Sequence, residues 1–129
     1  MKAALAAAGV LAACDAAKQT SPTLRDRILG ARTSQYCDSV CMNPHVLATE
    51  RGYVVTSFTG PTAFYKVVAT RDLREYLLSL PMTAWPRGAE ILISPTDDVT
   101  DTTLLDRNFS EAQRICRALG LAVETRMGG

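Results

Sequence analysis

The sequence lacks the short motifs that mark several common activities. One histidine occurs in 129 residues, and there is neither a G-x-S-x-G nucleophile motif nor a phosphate-binding glycine loop. Those motifs identify many serine hydrolases and nucleotide-binding proteins. The 14 basic and 13 acidic residues form no run of like charge, whereas nucleic-acid binders concentrate basic residues on one face. We therefore expect neither catalysis nor nucleic-acid binding.

The N-terminus carries an apolar run that is too short to cross a bilayer. Lys2 precedes eleven small or apolar residues at positions 3–13, whereas a membrane-spanning helix needs about 20. A brief positive region followed by such a run and by small residues is typical of a secretory signal peptide. Leu11-Ala12-Ala13-Cys14 resembles the lipobox of bacterial lipoproteins. That resemblance implies that Cys14 is lipidated and that residues 1–13 are removed.

On this interpretation residues 14–21 form a lipid-anchored tether and residues 22–129 form a single domain. Lipid chains on Cys14 would hold the domain on a membrane of the bacterial cell envelope, facing the periplasm or the exterior. That space is oxidising, so a disulfide would persist there. The alternative is a cytosolic domain in which residues 1–13 form a helix of the fold.

The remaining sequence predicts an α+β fold. Apolar spacing and turn residues predict helices at about 22–32, 71–80 and 111–119, and strands at 45–49, 53–58, 63–69, 90–94 and 121–125. The order α-βββ-α-β-α-β predicts a small mixed β-sheet with helices packed on one face.

Several residues mark the ends of these elements. Ser21 before Pro22 and Ser110 before Gln113 are typical helix N-caps. Gly120 suits the left-handed position that follows a helix. The continuous apolar run at 90–94 is typical of a central strand buried on both faces.

The C-terminal half resembles a known family. The stretch DLREYLLSLPMTAWPRGAEILISPTDD from Asp72, followed by RICRALGLAVET, is similar to the periplasmic domain of ExbD/TolR proteins. That domain also runs helix, apolar strand ending near an Asp, helix and terminal strand. The resemblance implies a similar fold and a role in envelope interactions. Those proteins also carry an N-terminal transmembrane helix whose ionisable residue couples ion flow, and this sequence shows no such helix, so that activity is not implied.

Two cysteines and the histidine are evenly spaced as Cys37-x3-Cys41-x3-His45. In an oxidising space a disulfide between Cys37 and Cys41 is one interpretation, and a bridge from either of them to Cys116 is another. Cys116 is also consistent with a buried apolar thiol on a helix.

Copper binding is the alternative interpretation of this loop. Thiolate and imidazole ligands suit copper, so Cys37, Cys41, His45 and Met42 are candidate ligands. The spacing resembles the binuclear-copper loop of cytochrome oxidase subunit II, in which a methionine follows the histidine. Here that position is Ala48 and no second histidine exists, which excludes a full binuclear site.

Two further segments are candidates for other roles. Trp85, with Met82 in the same apolar loop, would anchor a partner if exposed, or would close the end of the core if buried. The carboxylates of residues 97–101 suggest either an oxygen-ligand site after a strand or helix caps.

These features predict a small envelope lipoprotein without catalytic activity, which acts by binding as an accessory or scaffold for an envelope protein. The alternative is a periplasmic copper-binding protein that uses the loop from Cys37 to His45.

Overall fold

The computed structural model describes residues 22–31, 42–59 and 62–127. Two 3₁₀ turns, at Thr70–Asp72 and Met82–Ala84, flank the second helix. The elements, in chain order, are α1 (Leu24–Gly30), β1 (His45–Thr49), β2 (Gly52–Thr59), β3 (Thr62–Val68), α2 (Leu73–Ser79), β4 (Glu90–Pro95), α3 (Thr102–Ala118) and β5 (Ala122–Thr125).

The five strands form one mixed sheet in the order β3-β2-β1-β4-β5. The first three strands pair antiparallel, as two successive hairpins. β4 lies parallel to β1, and β5 lies parallel to β4. A parallel neighbour needs a crossover connection, and α3 supplies the one between β4 and β5. The predicted α+β class and element order are confirmed.

The helices pack on one face of the sheet, as predicted. Strand residues alternate in direction, and Val46, Ala48, Ile91 and Ile93 turn inward and are buried. Helix α3 contacts β1, β4 and β5. The buried side chains form a single cluster to which all three described helices contribute.

Strand β4 departs from its prediction. Its apolar run is typical of a strand covered on both faces, yet Leu92 between Ile91 and Ile93 is only half-buried. The reason is that the described helices cover only the face of the sheet towards which Ile91 and Ile93 point.

Helix α1 begins at a cap that differs from the predicted Ser21. The Thr23 hydroxyl accepts a hydrogen bond from the Asp26 N–H at 3.2 Å, and the Asp26 carboxylate accepts one from the Thr23 N–H at 3.1 Å. This reciprocal pair is a capping box. It satisfies two backbone donors that the first turn leaves free.

Helix α3 begins much earlier than predicted. Its N-cap is Asp101, whose carboxylate accepts a hydrogen bond from the Leu104 N–H at 3.1 Å. Ser110 therefore lies inside the helix. The prediction that Gly120 takes a left-handed conformation after this helix is confirmed by its φ of 86°.

Candidate binding site on the open face of the sheet

The open face is the side of the sheet that points away from the three described helices. The register places His45 opposite both Thr56 and Leu92. The next residue of β1 on the same face is Leu47, which lies opposite Val54 of β2 and Ser94 of β4. The face also includes Phe58 on β2 and, on β3, the side chains of Ala63, Tyr65 and Val67. The face is thus mainly apolar on these strands, with a few polar groups near its centre, and it carries Glu90 and Glu124 on the β4–β5 side.

A partly buried polar pair lies at the centre of the open face. The Nε2 atom of His45 and the hydroxyl oxygen of Ser94 are 2.5 Å apart, and Ser94 is only 7% exposed. Burial, with a smaller effect of Arg126, lowers the pKa of the His45 imidazole. The ring is therefore neutral at physiological pH, and this pair adds hydrogen-bonding groups to the face without adding charge.

Two shallow depressions meet beside His45. One, of about 430 Å³, is lined by β1, β4 and residues 95–98. The other, of about 740 Å³, extends towards β5 and reaches Met42 and Arg87. His45, Leu92 and Arg126 line both. Both depressions are open to solvent, so the centre of the open face has room to receive groups from a partner.

Asn43 anchors the segment that leads into β1. Its side-chain NH₂ donates to the carbonyls of Gly88 and Glu90, at 2.7 Å each, and its side-chain oxygen accepts from the Arg87 N–H at 2.8 Å. These bonds join the start of β1 to the loop before β4. Sequence analysis did not single out Asn43, because its partners lie more than forty residues away.

Asn108 is a second residue that sequence analysis missed. It is 5% exposed on the inner side of α3. Its NH₂ donates to the Thr49 carbonyl at 2.8 Å, and its side-chain oxygen accepts from the Thr70 hydroxyl at 3.2 Å. The available signal was its position in the periodic stripe with Leu105 and Ala112. Asn108 supports the β1–β2 turn and is structural.

Of the carboxylates at residues 97–101, Asp101 caps α3, whereas Asp97 and Asp98 line the first depression. Glu50, in the β1–β2 turn, accepts hydrogen bonds from the Thr100 N–H at 2.8 Å, the Thr100 hydroxyl at 2.9 Å and the Asp101 N–H. The bond from the Asp101 backbone is the largest of several effects that lower the pKa of Glu50. Within the described ranges no three His, Cys, Asp or Glu side chains form a group that could hold a metal ion.

The predicted cysteine and copper residues are only partly described. Cys14, Cys37 and Cys41 lie outside the described residues, so lipidation and the Cys37–Cys41 disulfide stay predictions. Cys116 is a buried free thiol whose pKa burial raises to about 12, and it makes no bridge in this structure. Met42 is exposed. Copper binding by the loop also stays a prediction.

The predicted partner-binding residues do not form an exposed anchor. Trp85 is 0% exposed and belongs to the core, and Met82 is partly buried against the same core. The short 3₁₀ turn Met82–Ala84 directs the indole inward. Of the two roles considered for Trp85, the structure shows closure of the core.

Among the residues that the structure describes, no helix is both long and apolar enough to span a bilayer. Comparison of the chain with protein-family models, with curated proteins and with solved structures finds no match.

Proposed function

We propose that this chain is a small lipoprotein of the bacterial envelope that acts by binding another envelope protein through the open face. The observation that supports binding is the one-sided packing: the described helices all lie on one face of the sheet, and the other face presents half-buried apolar side chains such as Leu47 and Leu92. Contiguous apolar patches on a soluble domain commonly mark interaction sites.

The chemistry of the open face favours a protein partner. Apolar side chains from β1, β2 and β4, namely Leu47, Val54 and Leu92, lie around a neutral His45–Ser94 pair. Charges of both signs lie at the margin, where Arg126 and residues 97–98 line the first depression. A largely apolar surface whose charged groups lie at the rim is common in protein–protein interfaces.

The N-terminal sequence supports the location. A short positive region, an apolar run and the lipobox ending at Cys14 together direct a bacterial chain to lipidation. Several acyl chains on one cysteine hold a protein stably on a membrane. The domain would then meet its partner at the membrane surface.

Site-specific photo-crosslinking tests the binding role. The photoreactive residue p-benzoylphenylalanine is placed at Leu92 on the open face and, as a matched control, at Arg107 on the exposed side of α3. Irradiation of living bacteria should crosslink one envelope protein to the Leu92 variant and not to the Arg107 variant. Leu47→Glu, which puts a charge on the same face, should remove that adduct.

The other outcomes contradict the proposal. An adduct of equal yield at both positions would indicate contact without a defined site. No adduct at Leu92 in a folded protein, or an adduct that survives Leu47→Glu, would exclude the open face as the contact surface.

A further inference from the structure

The two edges of the sheet differ in how well they are protected. The β5 edge has four residues, carries Glu124 and is followed at once by Arg126. The β3 edge has seven residues, no proline and a single charge, Lys66. Two of its apolar side chains, Tyr65 and Val67, are 73% and 80% exposed. Natural sheets usually protect edges with short strands, charges or prolines, because a long apolar edge pairs with other strands.

The register shows which backbone groups of β3 point outward. In an antiparallel pair, alternate residues turn both N–H and C=O towards the neighbouring strand. Thr59 pairs with Thr62, so only two residues separate β2 from β3. In a hairpin with a two-residue turn, the closing pair is the hydrogen-bonded one. Counting from Thr62, the residues whose backbone N–H and C=O groups point towards β2 are Thr62, Phe64, Lys66 and Val68. The outward N–H and C=O groups therefore belong to Ala63, Tyr65 and Val67.

We propose that β3 pairs antiparallel with β3 of a second copy of this chain, about a two-fold axis at Tyr65. The two sheets would join into one continuous sheet. Tyr65 would lie opposite its own copy and Val67 opposite Ala63, and these three hydrogen-bonded pairs would exchange about six backbone hydrogen bonds. This pairing uses the edge of the sheet and does not depend on the proposed partner of the open face.

The residues along β3 favour this register with a second copy. With the axis at Tyr65, Lys66 lies beside Phe64 of the other copy, and every other opposed pair is uncharged. Moving the axis to Lys66 would place two lysines directly opposite each other, which destabilises a strand pair. Moving it to Phe64 would leave Val67 and Val68 unpaired. Long-range repulsion between copies is small, since the formal net charge of each chain is +1.

Disulfide trapping tests both the pairing and its register. The full-length chain carries Cys37→Ser and Cys41→Ser, while Cys14 and the buried Cys116 are kept. Circular dichroism checks that this background is folded, and its own oxidation shows any dimer that Cys14 forms alone. Tyr65→Cys is then oxidised in the cell fraction that holds the protein. The opposed Cα atoms would be about 5.5 Å apart, within the range that a disulfide spans.

Val67→Cys is the matched control. It lies on the same strand and face and is at least as exposed, but its own copy would be four residues away along the strand, roughly 13 Å. It should give no crosslinked dimer alone. Mixed with Ala63→Cys chains, it should crosslink to them.

Three results would overturn the pairing. These are no dimer from folded Tyr65→Cys, equal trapping at Tyr65 and Val67, or trapping of a different protein. A last variant opposes the contact at exposed or half-buried positions: Ala63→Glu together with Val67→Glu sets two carboxylates directly opposite each other in both outer pairs, so it should keep the circular dichroism spectrum and lose the Tyr65→Cys dimer. Persistence of that dimer would also refute the proposal.

Discussion

Replacement of Asn108 by alanine should destabilise the domain although the residue is polar and lies on a helix. The side chain is almost fully buried and makes two hydrogen bonds, one to the Thr49 carbonyl and one from the Thr70 hydroxyl. Alanine makes neither bond and leaves the Thr49 carbonyl without that donor.

The expected loss follows from opposing contributions. Each lost hydrogen bond costs about 1 kcal/mol, and a buried partner left unsatisfied adds about 1–3 kcal/mol. The higher helix propensity of alanine offsets roughly 0.5 kcal/mol. The free energy of unfolding should therefore fall by about 2.5–4.5 kcal/mol, which lowers the melting temperature by roughly 10–20 °C in a domain of this size.

Urea unfolding followed by circular dichroism measures this loss. The matched control is Arg107→Ala, one residue earlier on the exposed side of α3, which should stay within about 0.5 kcal/mol of the unmodified protein. Asn108→Asp keeps an acceptor for Thr70 but sets a carboxylate against the Thr49 carbonyl, so it should be at least as destabilising as alanine at neutral pH. If Asn108→Ala unfolds like the unmodified chain, the hydrogen-bonded link between α3 and the β1–β2 turn is wrong.

Three further predictions concern the packing around Gly120, the protonation of His45 and the role of Asn43 in the segment that leads into β1. Gly120→Ala should lower the free energy of unfolding by about 2–4 kcal/mol, because the φ of 86° at Gly120 disfavours a side chain and a Cβ atom would lie 2.7 Å from the Cβ of Arg25. Gly30→Ala is the control and should not destabilise, because the space around Gly30 is open. Equal losses for the two variants would refute this reasoning. The proton NMR signal of His45, the single histidine, should titrate below its usual pKa of about 6.5, because burial disfavours the imidazolium. Because the pKa of His45 is lower in the folded than in the unfolded state, its contribution to the free energy of unfolding should be fully present above about pH 6.5 and be lost as the pH falls through the folded pKa. His45→Gln should flatten this pH dependence in urea unfolding measured from about pH 7.5 to 5, and an unchanged slope would contradict the lowered pKa of His45. Asn43→Ala should lower the free energy of unfolding by about 1–2 kcal/mol, since three largely solvent-accessible hydrogen bonds are lost and water replaces part of them; the neighbouring Met42→Ala should have little effect, and equal stability of the two variants would contradict the anchoring role of Asn43.

The strands could be predicted well because their signals are local. β1 was predicted with the bounds that the structure has, since the alternation from His45 to Thr49 and the turn that follows lie within a few residues. The glycine after α3 was also predictable, because a left-handed residue there favours glycine for steric reasons alone. Such features depend on neighbouring residues and are visible in a single sequence.

The start of α3 was missed because two local patterns competed. Ser110 with Gln113 has the pattern of a capping box, yet Asp101 is the cap. The buried Asn108 interrupts the apolar stripe between Leu105 and Ala112, so the first half of the helix did not have the expected periodicity. A buried polar residue of this kind is explained only by its distant partners, Thr49 and Thr70.

The candidate site depends on contacts between distant parts of the chain. His45 was predicted at the start of a strand, but its partner Ser94 is 49 residues away and is brought near by the parallel pairing of β1 and β4. The role of Trp85 was open for the same reason: an aromatic residue in an apolar loop suits either a core or an exposed anchor, and only packing decides between them.

The proposal of an envelope lipoprotein depends most directly on what happens at Cys14. Intact-mass spectrometry of the full-length chain from the membrane fraction of a bacterial host, alkylated with and without prior reduction, tests this. The account predicts a chain that has lost residues 1–13 and gained the mass of acyl groups on Cys14. A soluble chain of unchanged mass that still begins at Met1 would contradict it.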